Sequence, residues 1–412
     1  MNKIPAGWKQ VKLGEITQKI GSGITPRGGS SVYSDEGIMF LRSQNIQNGK
    51  FNLSDVKYIS PEIDESMKSS RVKKDDVLYN ITGASIGRSA VYLFEANSNV
   101  NQHVCIIRLK NVNPKFINSF LLSKQGVREL YSFQAGGNRE GLNFQQLSSF
   151  KLLLPPLLEQ EKIVEVLETW DSYIEGLNKA INLKRKVRNG LIHKLLTGQI
   201  RLAGFADPWE VVLVSDICEI KKGSGLSKEK LSKNGKNKCI LYGEIYTTYD
   251  KFIFNIISKT DVNEGIKSKK DDVLIPASTT TSALDLATAT TLLEDDVLIG
   301  GDVNILRKKM PASFDGIFFA YYLSHVKKHE LARLAQGITI VHLYGKDLKK
   351  IAIETPKIEE QRAIADVLVK GYQEIEALEK KKALVEDQKK FLLNNLITGK
   401  IRLPEFIKKD PR

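Results

Sequence analysis

The chain has 412 residues and a formal net charge of +14, so it is long enough for two domains with cores and favours an acidic polymer, such as nucleic acid, as a partner. Its three cysteines (Cys105, Cys218 and Cys239) form no close pair, which excludes a disulfide scaffold and predicts reduced, mostly buried thiols. No apolar run is long enough to span a bilayer, so we expect a cytoplasmic protein.

The first part of the chain contains short apolar runs, such as Ile38 to Leu41 and Val104 to Ile107, separated by clusters of Gly, Asn, Ser and Asp. Such runs are typical of β-strands joined by turns. A helix is predicted from Pro114 to Tyr131. Asp75 and Asp76 resemble a carboxylate pair for metal-dependent cleavage, but they lie in a Lys-Lys-Asp-Asp-Val-Leu sequence that favours a turn entering a strand. We therefore expect a mixed α/β or α+β domain without a catalytic site.

A long helix is predicted after Pro155 and Pro156, from Glu159 to Leu196, with Gly198 as its stop. At about 1.5 Å per residue it would be roughly 56 Å long. Apolar residues recur along it at alternating spacings of three and four, which predicts a stripe that packs against one partner helix. The predicted packing residues are Ile163, Leu167, Trp170, Ile174, Leu177, Ile181, Leu191 and Leu195.

The second part of the chain opens like the first, because Pro208-Trp209 parallels Gly7-Trp8. Gly223-Ser224-Gly225 likewise parallels Gly21-Ser22-Gly23, and residues 269–274 repeat the Lys-Lys-Asp-Asp-Val-Leu sequence. A helix is predicted from Phe314 to Leu334. It carries His325 and His329 at a spacing that metal ligands can have, but no Glu follows His325 and no cysteine is near, so a solvated helix face is expected.

The sequence from Pro155 to Phe205 is repeated 201 positions later without a gap, which indicates a duplicated domain. The second helix has the matching packing residues Ile364, Leu368, Ile375, Leu378, Val385, Leu392 and Leu396. Both helices are acidic in their first half and basic in their second, so opposite charges meet only if the helices lie antiparallel. We therefore predict an antiparallel two-helix coiled coil joining two globular domains about an internal pseudo-two-fold axis. The alternative is that the helices serve only dimerisation or packing.

The repeated phrases carry a family resemblance that extends over the whole chain. Leu154-Pro155-Pro156-Leu157-x-Glu159-Gln160 and Leu195-Leu196-Thr197-Gly198-x-Ile200-Arg201-Leu202, with their second copies, resemble the specificity subunit of Type I restriction–modification enzymes. Residues 23–26, 83–88 and 101–102 are similar to recurring phrases of that family. The second half departs from them at comparable positions, with Ser278-Thr279-Thr280-Thr281 and Gly300-Gly301-Asp302.

The resemblance implies a non-catalytic subunit that recognises a bipartite, asymmetric sequence in double-stranded DNA. It divides the chain into target-recognition domain 1 (1–153), a first spacer helix region (154–203), target-recognition domain 2 (204–354) and a second spacer helix region (355–412). It also implies two modification (methyltransferase) subunits and restriction (translocase/nuclease) subunits as partners. S-adenosylmethionine, ATP and Mg would be bound by those partners, and no cofactor or metal is expected in this chain.

Candidate DNA-contacting residues lie in Gly- or Asn-rich stretches near predicted strand ends. Arg suits guanine and Asn or Gln suits adenine, whereas Lys and backbone donors hold phosphates. The candidates are Arg27, Arg42, Gln44, Asn45, Thr82, Arg88, Gln102 and Arg139 in the first domain, and Lys221, Lys222, Tyr242, Thr279, Thr280, Thr281 and Thr339 in the second. Any of these residues can instead shape a turn.

Two other classes of function stay open at this point. The chain lacks a phosphate-binding G-x-x-x-x-G-K-[ST] loop and the N-P-P-[FY] string of amino-methyltransferases, so an enzyme is disfavoured. A non-enzymatic coiled-coil interaction module that binds protein partners is the first alternative. An enzyme with an unrecognised nuclease site is the second.

Overall fold

The computed structural model describes residues 4–134 and 141–407. The chain divides into two compact units: unit 1 comprises Met1–Asn178 and Lys380–Arg412, and unit 2 comprises Lys179–Glu379. Each unit therefore contains one globular half of the sequence together with parts of both long helices. The predicted boundaries at 153, 203 and 354 separate the globular parts from the long helices, which is a different kind of division. They stay a prediction.

The described part of unit 1 contains two four-stranded sheets and one two-stranded sheet. Its strands β1 to β10 are, in order, Lys9–Lys12, Thr17–Ser22, Ile38–Leu41, Lys57–Ile59, Arg71–Val72, Val77–Asn80, Ser89–Val91, Ser98–Val100, Val104–Leu109 and Lys151–Leu154. The main sheet has the order β2-β9-β6-β7 and is antiparallel throughout. The second sheet has the order β4-β3-β8-β5, and β1 pairs with β10.

The strands of unit 1 are accompanied by helices and short 3₁₀ turns. The helices are α1 (Pro61–Ser66), α2 (Pro114–Leu122), α3 (Lys124–Ser132), α4 (Phe144–Ser148) and the long α5 (Leu157–Leu196), with 3₁₀ turns at Leu13–Ile16, Gly29–Val32, Ser43–Asn45, Lys68–Ser70, Gly83–Ser85 and Pro404–Phe406. The prediction of one helix from Pro114 to Tyr131 is wrong. Ser123 has an extended backbone, which ends α2 and separates it from α3. The Ser123 hydroxyl accepts a hydrogen bond from the Gly126 amide and so caps α3.

Unit 2 repeats the main features of this arrangement, with one strand added to its main sheet. Its strands β11 to β22 are Glu210–Leu213, Cys218–Lys222, Asn237–Ile240, Phe252–Ile253, Lys259–Thr260, Asp272–Pro276, Ser278–Thr279, Thr290–Leu292, Leu298–Ile299, Val303–Lys308, Val341–His342 and Ala352–Thr355. The order β12-β20-β16-β18 repeats β2-β9-β6-β7, and β14 extends it. The smaller sheet β15-β13-β19 corresponds to β4-β3-β8, including one parallel pair.

The helices of unit 2 include the second long helix. They are α6 (Val214–Ile217), α7 (Glu244–Thr247), α8 (Ala283–Leu286), α9 (Gly316–His325), α10 (Lys328–Leu334), α11 (Gly345–Leu348) and α12 (Ile358–Ile397), with a 3₁₀ turn at Lys228–Lys230. The prediction of one helix from Phe314 to Leu334 is also wrong, because this segment forms the two helices α9 and α10. Asp315 caps α9 by accepting from the Phe318 amide, and the chain leaves helical geometry at Lys327 before α10 begins.

The two halves align differently from the sequence-based pairing of their glycine phrases. Ser22 lies opposite Cys105, and Lys222 lies opposite Asn304, so Gly23 corresponds to Gly223. A β-bulge in β2 after Thr17 shifts the spacing by one residue. Another segment of backbone passes so close to each glycine that no side chain fits. A Cβ would lie 1.6 Å from a carbonyl oxygen at Gly23 and 2.0 Å from one at Gly223.

The repeated Lys-Lys-Asp-Asp sequence forms the predicted turn in both units. The first aspartate of each pair has a left-handed backbone, with φ of 70° at Asp75 and 68° at Asp271. The second aspartate is 1% exposed and binds an arginine of the adjacent strand, at 2.7 Å for Asp76 with Arg108. Arg307 binds Asp272 at 2.6 Å in the same way. These carboxylates therefore have a structural role.

Segments of α5 and α12 pack antiparallel inside unit 1. Ile163 and Leu167 of α5 share a core with Leu396 of α12. Further along α5, Asp171 binds Lys389, so residue numbers rise on one helix as they fall on the other.

Unit 2 has the same arrangement with the roles of the helices exchanged. Lys184 binds Glu374 at 2.6 Å, and Arg185 binds Glu379. Beyond these pairs, Leu195 of α5 and Leu368 of α12 lie in one core. The basic second half of α5 thus faces the acidic first half of α12, as the charge pattern predicted, and the predicted fold class is confirmed.

A buried ion pair joins the start of each long helix to the segment that follows the other. Arg402 binds Glu159 through two hydrogen bonds of 2.7 and 2.9 Å in unit 1. Arg201 binds Glu360 through two of 2.6 and 2.7 Å in unit 2. Both carboxylates are almost inaccessible, at 1% and 2% exposed. Hydrogen bonding to its carboxylate raises the pKa of each arginine, so both guanidinium groups stay charged. We call these two pairs the clasps.

The glutamine after each clasp glutamate fastens the helix start to the globular half. In unit 1 the Gln160 side chain accepts from the Asn113 amide at 2.9 Å and donates to the Pro155 carbonyl at 2.8 Å. Gln361 makes the equivalent bonds to the Asp315 amide and the Pro356 carbonyl, both at 2.9 Å. Asn113 and Asp315 are the N-caps of α2 and α9. Gln160 therefore fixes α5 against the start of α2, and Gln361 fixes α12 against the start of α9.

A left-handed glycine turns the chain from the end of each long helix toward its clasp. Gly198 has φ of 68° and Gly399 has φ of 64°, and the helices end at Leu196 and Ile397. A Cβ on Gly399 would lie 2.5 Å from Pro5, so a larger residue there would also clash. The contact also places the start of the described chain beside the segment after α12.

The tryptophan beside each clasp is used differently in the two units. The Trp8 indole donates to Glu159 at 3.0 Å in unit 1. The equivalent Trp209 stacks with Arg201, but among the described residues its buried indole N–H has no hydrogen-bond partner. Glu159 therefore accepts a hydrogen bond from its tryptophan, whereas Glu360 does not accept one from Trp209.

We predict that Trp8→Phe lowers the free energy of unfolding more than Trp209→Phe does. The Trp8 bond to a charged acceptor contributes about 1.5–3 kcal/mol, whereas Trp209→Phe removes an unpaired buried donor. Urea-induced unfolding of the two variants, followed by circular dichroism, measures the difference. Equal losses would contradict this role for Trp8.

Candidate nucleic-acid interface

Four polar side chains of unit 1 form a connected network beside the main sheet. Thr82 contacts His103 at 2.5 Å, and Gln102 contacts the other ring nitrogen of His103 at 3.1 Å. Thr25 is hydrogen-bonded to Gln102. Thr82 and Gln102 were predicted from the sequence, whereas Thr25 and His103 were missed, although both lie within or next to the phrases that carry the family resemblance. The network offers donors and acceptors of the kind that reads base edges.

A second group surrounds Asp55, which the sequence did not single out. Arg42 binds the Asp55 carboxylate at 3.1 Å and its carbonyl at 2.7 Å, and Gln44 donates to the same carboxylate at 2.7 Å. Arg88 lies 3.5 Å from the Gln47 side chain. Arg42 and Arg88 are partly buried and Gln44 is exposed. This group can orient its arginine and glutamine toward a ligand before binding.

The remaining candidates of unit 1 differ in accessibility. Arg27 is exposed. Asn45 is only 2% exposed, and its amide accepts from the Arg42 backbone and donates to the Asn52 carbonyl, so this side chain shapes the turn. Arg139 lies outside the described residues.

The candidates of unit 2 have a different chemical character. Thr279 is 2% exposed and bonds to Thr281, which in turn donates to Asp285 at 2.6 Å, while Thr280 is exposed. Hydrogen bonds, first from Thr281 and then from Ser282, lower the pKa of Asp285. The buried hydroxyl of Thr279 therefore stabilises the turn, and Thr280 is the accessible threonine.

The other candidates of unit 2 are more accessible to solvent than Thr279. Lys221 lies 3.4 Å from Glu219, and Lys222 lies 3.6 Å from Asp302. Tyr242 is 36% exposed, and Thr339 is exposed in a loop between two isoleucines. Unit 2 thus combines threonine hydroxyls with lysines and apolar side chains, whereas unit 1 combines them with arginine, glutamine and histidine.

All the predicted helix-packing residues are buried or half-buried. The buried ones are Ile163, Leu167, Leu177, Ile181, Leu195, Ile364, Leu368, Ile375, Val385 and Leu396, and the half-buried ones are Trp170, Ile174, Leu191, Leu378 and Leu392. Arg188, a charged residue of α5, is half-buried within unit 2, where it binds Asp250 at 3.0 Å and Tyr321 at 2.5 Å.

The three cysteine thiols of the chain are buried. Burial raises the pKa of the Cys105 thiol to about 12 and that of Cys239 to about 11, and it also raises that of Cys218. These thiols are free and protonated at neutral pH. Across residues 4–134 and 141–407, no group of three or more His, Cys, Asp or Glu side chains is placed to hold a metal ion. In the same residues, no helix has the length and apolar character that crossing a membrane requires.

Comparisons with known proteins agree with the duplication. The profile of the "Type I restriction modification DNA specificity domain" matches residues 5–185 and again 206–387. A putative type I restriction enzyme MjaX specificity subunit from Methanocaldococcus jannaschii is 26% identical over 98% of this chain and 96% of its own length.

Two solved structures share the fold over nearly the whole chain. One comes from a study of complex assembly and conformational transition of the type I R-M system, with a TM-score of 0.61, 18% identity and coverage of 97% of this chain and 100% of that one. The other is the HsdS subunit from Thermoanaerobacter tengcongensis, with a TM-score of 0.54, 18% identity and coverage of 97% and 98%. With two matched domains over most of its length, the chain belongs to the type I restriction–modification DNA specificity family and is the specificity subunit of such a system.

Proposed function

We propose that this specificity subunit reads an asymmetric, two-part sequence in double-stranded DNA, one part with each unit, and that α5 and α12 set the gap between the parts. The observation that carries this proposal is the contrast within the duplication. The sheet order, the clasps and the helix contacts recur in both units, whereas the polar side chains beside the sheets differ. Because the repeated structure carries different polar side chains in the two units, we expect each unit to recognise a different half-site.

Unit 1 is equipped for hydrogen-bonded readout. Gln102 suits adenine, Arg42 and Arg88 suit guanine, and Thr82 and His103 hold Gln102 in place through the polar network. Unit 2 offers Thr280, Tyr242 and the lysines 221 and 222, of which the lysines suit phosphates.

The chemistry of the system belongs to partner subunits in this proposal. Two modification subunits bind S-adenosylmethionine and methylate adenine, and restriction subunits use ATP and Mg to translocate and cleave. The specificity subunit supplies recognition and a docking surface on its helices, and has no catalytic role. The complex acts on DNA in the cytoplasm.

The assembled complex of specificity and modification subunits should methylate one asymmetric, two-part DNA sequence. Methylation mapping in a host that carries the complete system measures this directly. A single continuous site, or two identical half-sites, would refute the proposal. DNA cleavage by the purified chain with Mg²⁺ would show that it is itself a nuclease.

Gln102→Ala should weaken recognition of one base pair in the half-site read by unit 1 and leave the other half-site unchanged. Loss of a two-bond contact to adenine costs about 1–3 kcal/mol, or roughly 5- to 150-fold in binding. Competition binding with singly substituted DNA duplexes measures the change. Gln145→Ala, on the exposed surface of α4, is the matched control and should bind like the wild type. Equal relaxation at both half-sites would contradict the assignment.

Inserting seven residues into both helices, after Asn178 and after Glu379, should widen the unread gap and leave both half-sites unchanged. Seven helical residues add about 10 Å, which corresponds to about three base pairs. Seven residues also preserve the spacing of the apolar stripe. Methylation mapping of the variant gives the new gap. A constant gap, or altered half-sites, would show that the helices are not the spacer.

A further inference from the structure

A hairpin of unit 2 presents an isoleucine directly to solvent. Ile338 is fully exposed, at 101% of its reference area, and Ile340 is 48% exposed. Turns of this kind usually carry Gly, Asn or Asp at the tip, because those residues suit the backbone and favour water. An exposed pair of isoleucines at such a position is accessible to a partner.

The hairpin is held in a defined conformation. The backbones of Gln336 and His342 exchange two hydrogen bonds, of 2.9 and 2.7 Å, which close the loop. Gly337 has φ of 124°, and a Cβ there would lie 2.0 Å from the Ile340 carbonyl, so only glycine fits. The tip is therefore ordered before it meets a ligand, which reduces the entropy lost on binding.

The base of the hairpin is fixed to the unit core and to the candidate threonines. Strand β21 pairs with β17, placing His342 opposite Ser278 and Val341 opposite Thr279. The next residue, Leu343, is buried, and its carbonyl accepts from the Asn304 amide at 2.9 Å. Movement of the tip is thus limited by a two-stranded ribbon anchored at its base.

The surroundings of the tip are polar and basic. Tyr344 is exposed beside the hairpin, with the Lys346 ammonium group 5.6 Å from its ring centre. Residues 344–350 contain three lysines and one aspartate. An apolar tip whose chain continues into a lysine-rich segment fits a polyanion that offers a local apolar group. Duplex DNA has this property, since the thymine 5-methyl group projects into its major groove.

We propose that Ile338 contacts a thymine 5-methyl group in the major groove of the half-site that unit 2 reads. This inference rests on the proposed function and names one recognition contact within it. The major groove admits a two-stranded β-ribbon, and thymine is distinguished there by its methyl group. Ile338 is then a specificity-determining residue that selects an A·T pair without a hydrogen bond.

Replacing thymines of that half-site one at a time with deoxyuridine tests the contact, because deoxyuridine keeps base pairing and lacks only the methyl group. The assembled complex should lose about three- to fivefold in affinity at one position, the effect expected for one methyl group. Ile338→Ala should bind the thymine duplex about as weakly as the wild type binds the deoxyuridine duplex, with no further loss on replacement. Ile257→Ala, a 69% exposed isoleucine elsewhere in unit 2, is the control and should keep the wild-type sensitivity.

Wild-type binding that is insensitive to deoxyuridine at every position would overturn the inference, as would full sensitivity in Ile338→Ala. A half-site without an A·T pair would do the same. In each of these outcomes a wild-type complex that still recognises a two-part site leaves the proposed function intact. Absence of any two-part site would instead refute the proposed function.

Discussion

Two buried carboxylates, Glu159 and Glu360, determine how the rest of the molecule is arranged. Each lies at the start of a long helix, where the helix dipole favours negative charge, and each is neutralised by an arginine from beyond the end of the other helix. A buried carboxylate without its partner would be strongly unfavourable, so each helix start requires the other helix end beside it. Within each unit only an antiparallel arrangement meets this requirement. The adjacent glutamines then tie the same point to the globular half.

This constraint separates the parts of the chain that must stay constant from those that can vary. The clasps, the left-handed glycines after the helices and the apolar stripe have equivalents in both units. The buried aspartate–arginine pairs in the sheets are also repeated. These groups serve the frame, because they bond to or pack against one another inside the unit. Side chains at strand ends and loop tips are not needed for the frame, so they can differ between the units.

The sequence was sufficient to predict the long helices and their antiparallel contacts. Periodic apolar residues, segregated charges, and the proline and glycine boundaries are local signals that tertiary contacts reinforce here. It was not sufficient for the break at Ser123, because a single capping hydroxyl is a weak signal within a helical pattern. The sequence also could not show that Asn45 and Thr279 are buried, because a polar side chain in a turn can bond to residues of that same turn and lose its exposure to solvent. Selecting candidates for their hydrogen-bonding capacity also leaves out apolar residues such as Ile338, for which we propose a base contact.

The central claim is that a repeated frame carries two independent readers, and one chimera tests it most directly. Residues 204–354 would be replaced with a second copy of residues 1–153, which leaves Glu159, Arg201, Glu360 and Arg402 in place. The assembled complex should then methylate a symmetric site, made of the unit 1 half-site and its inverted copy. An asymmetric site that retains the original unit 2 half-site would contradict the claim, because recognition would then reside in the helices or in the partner subunits.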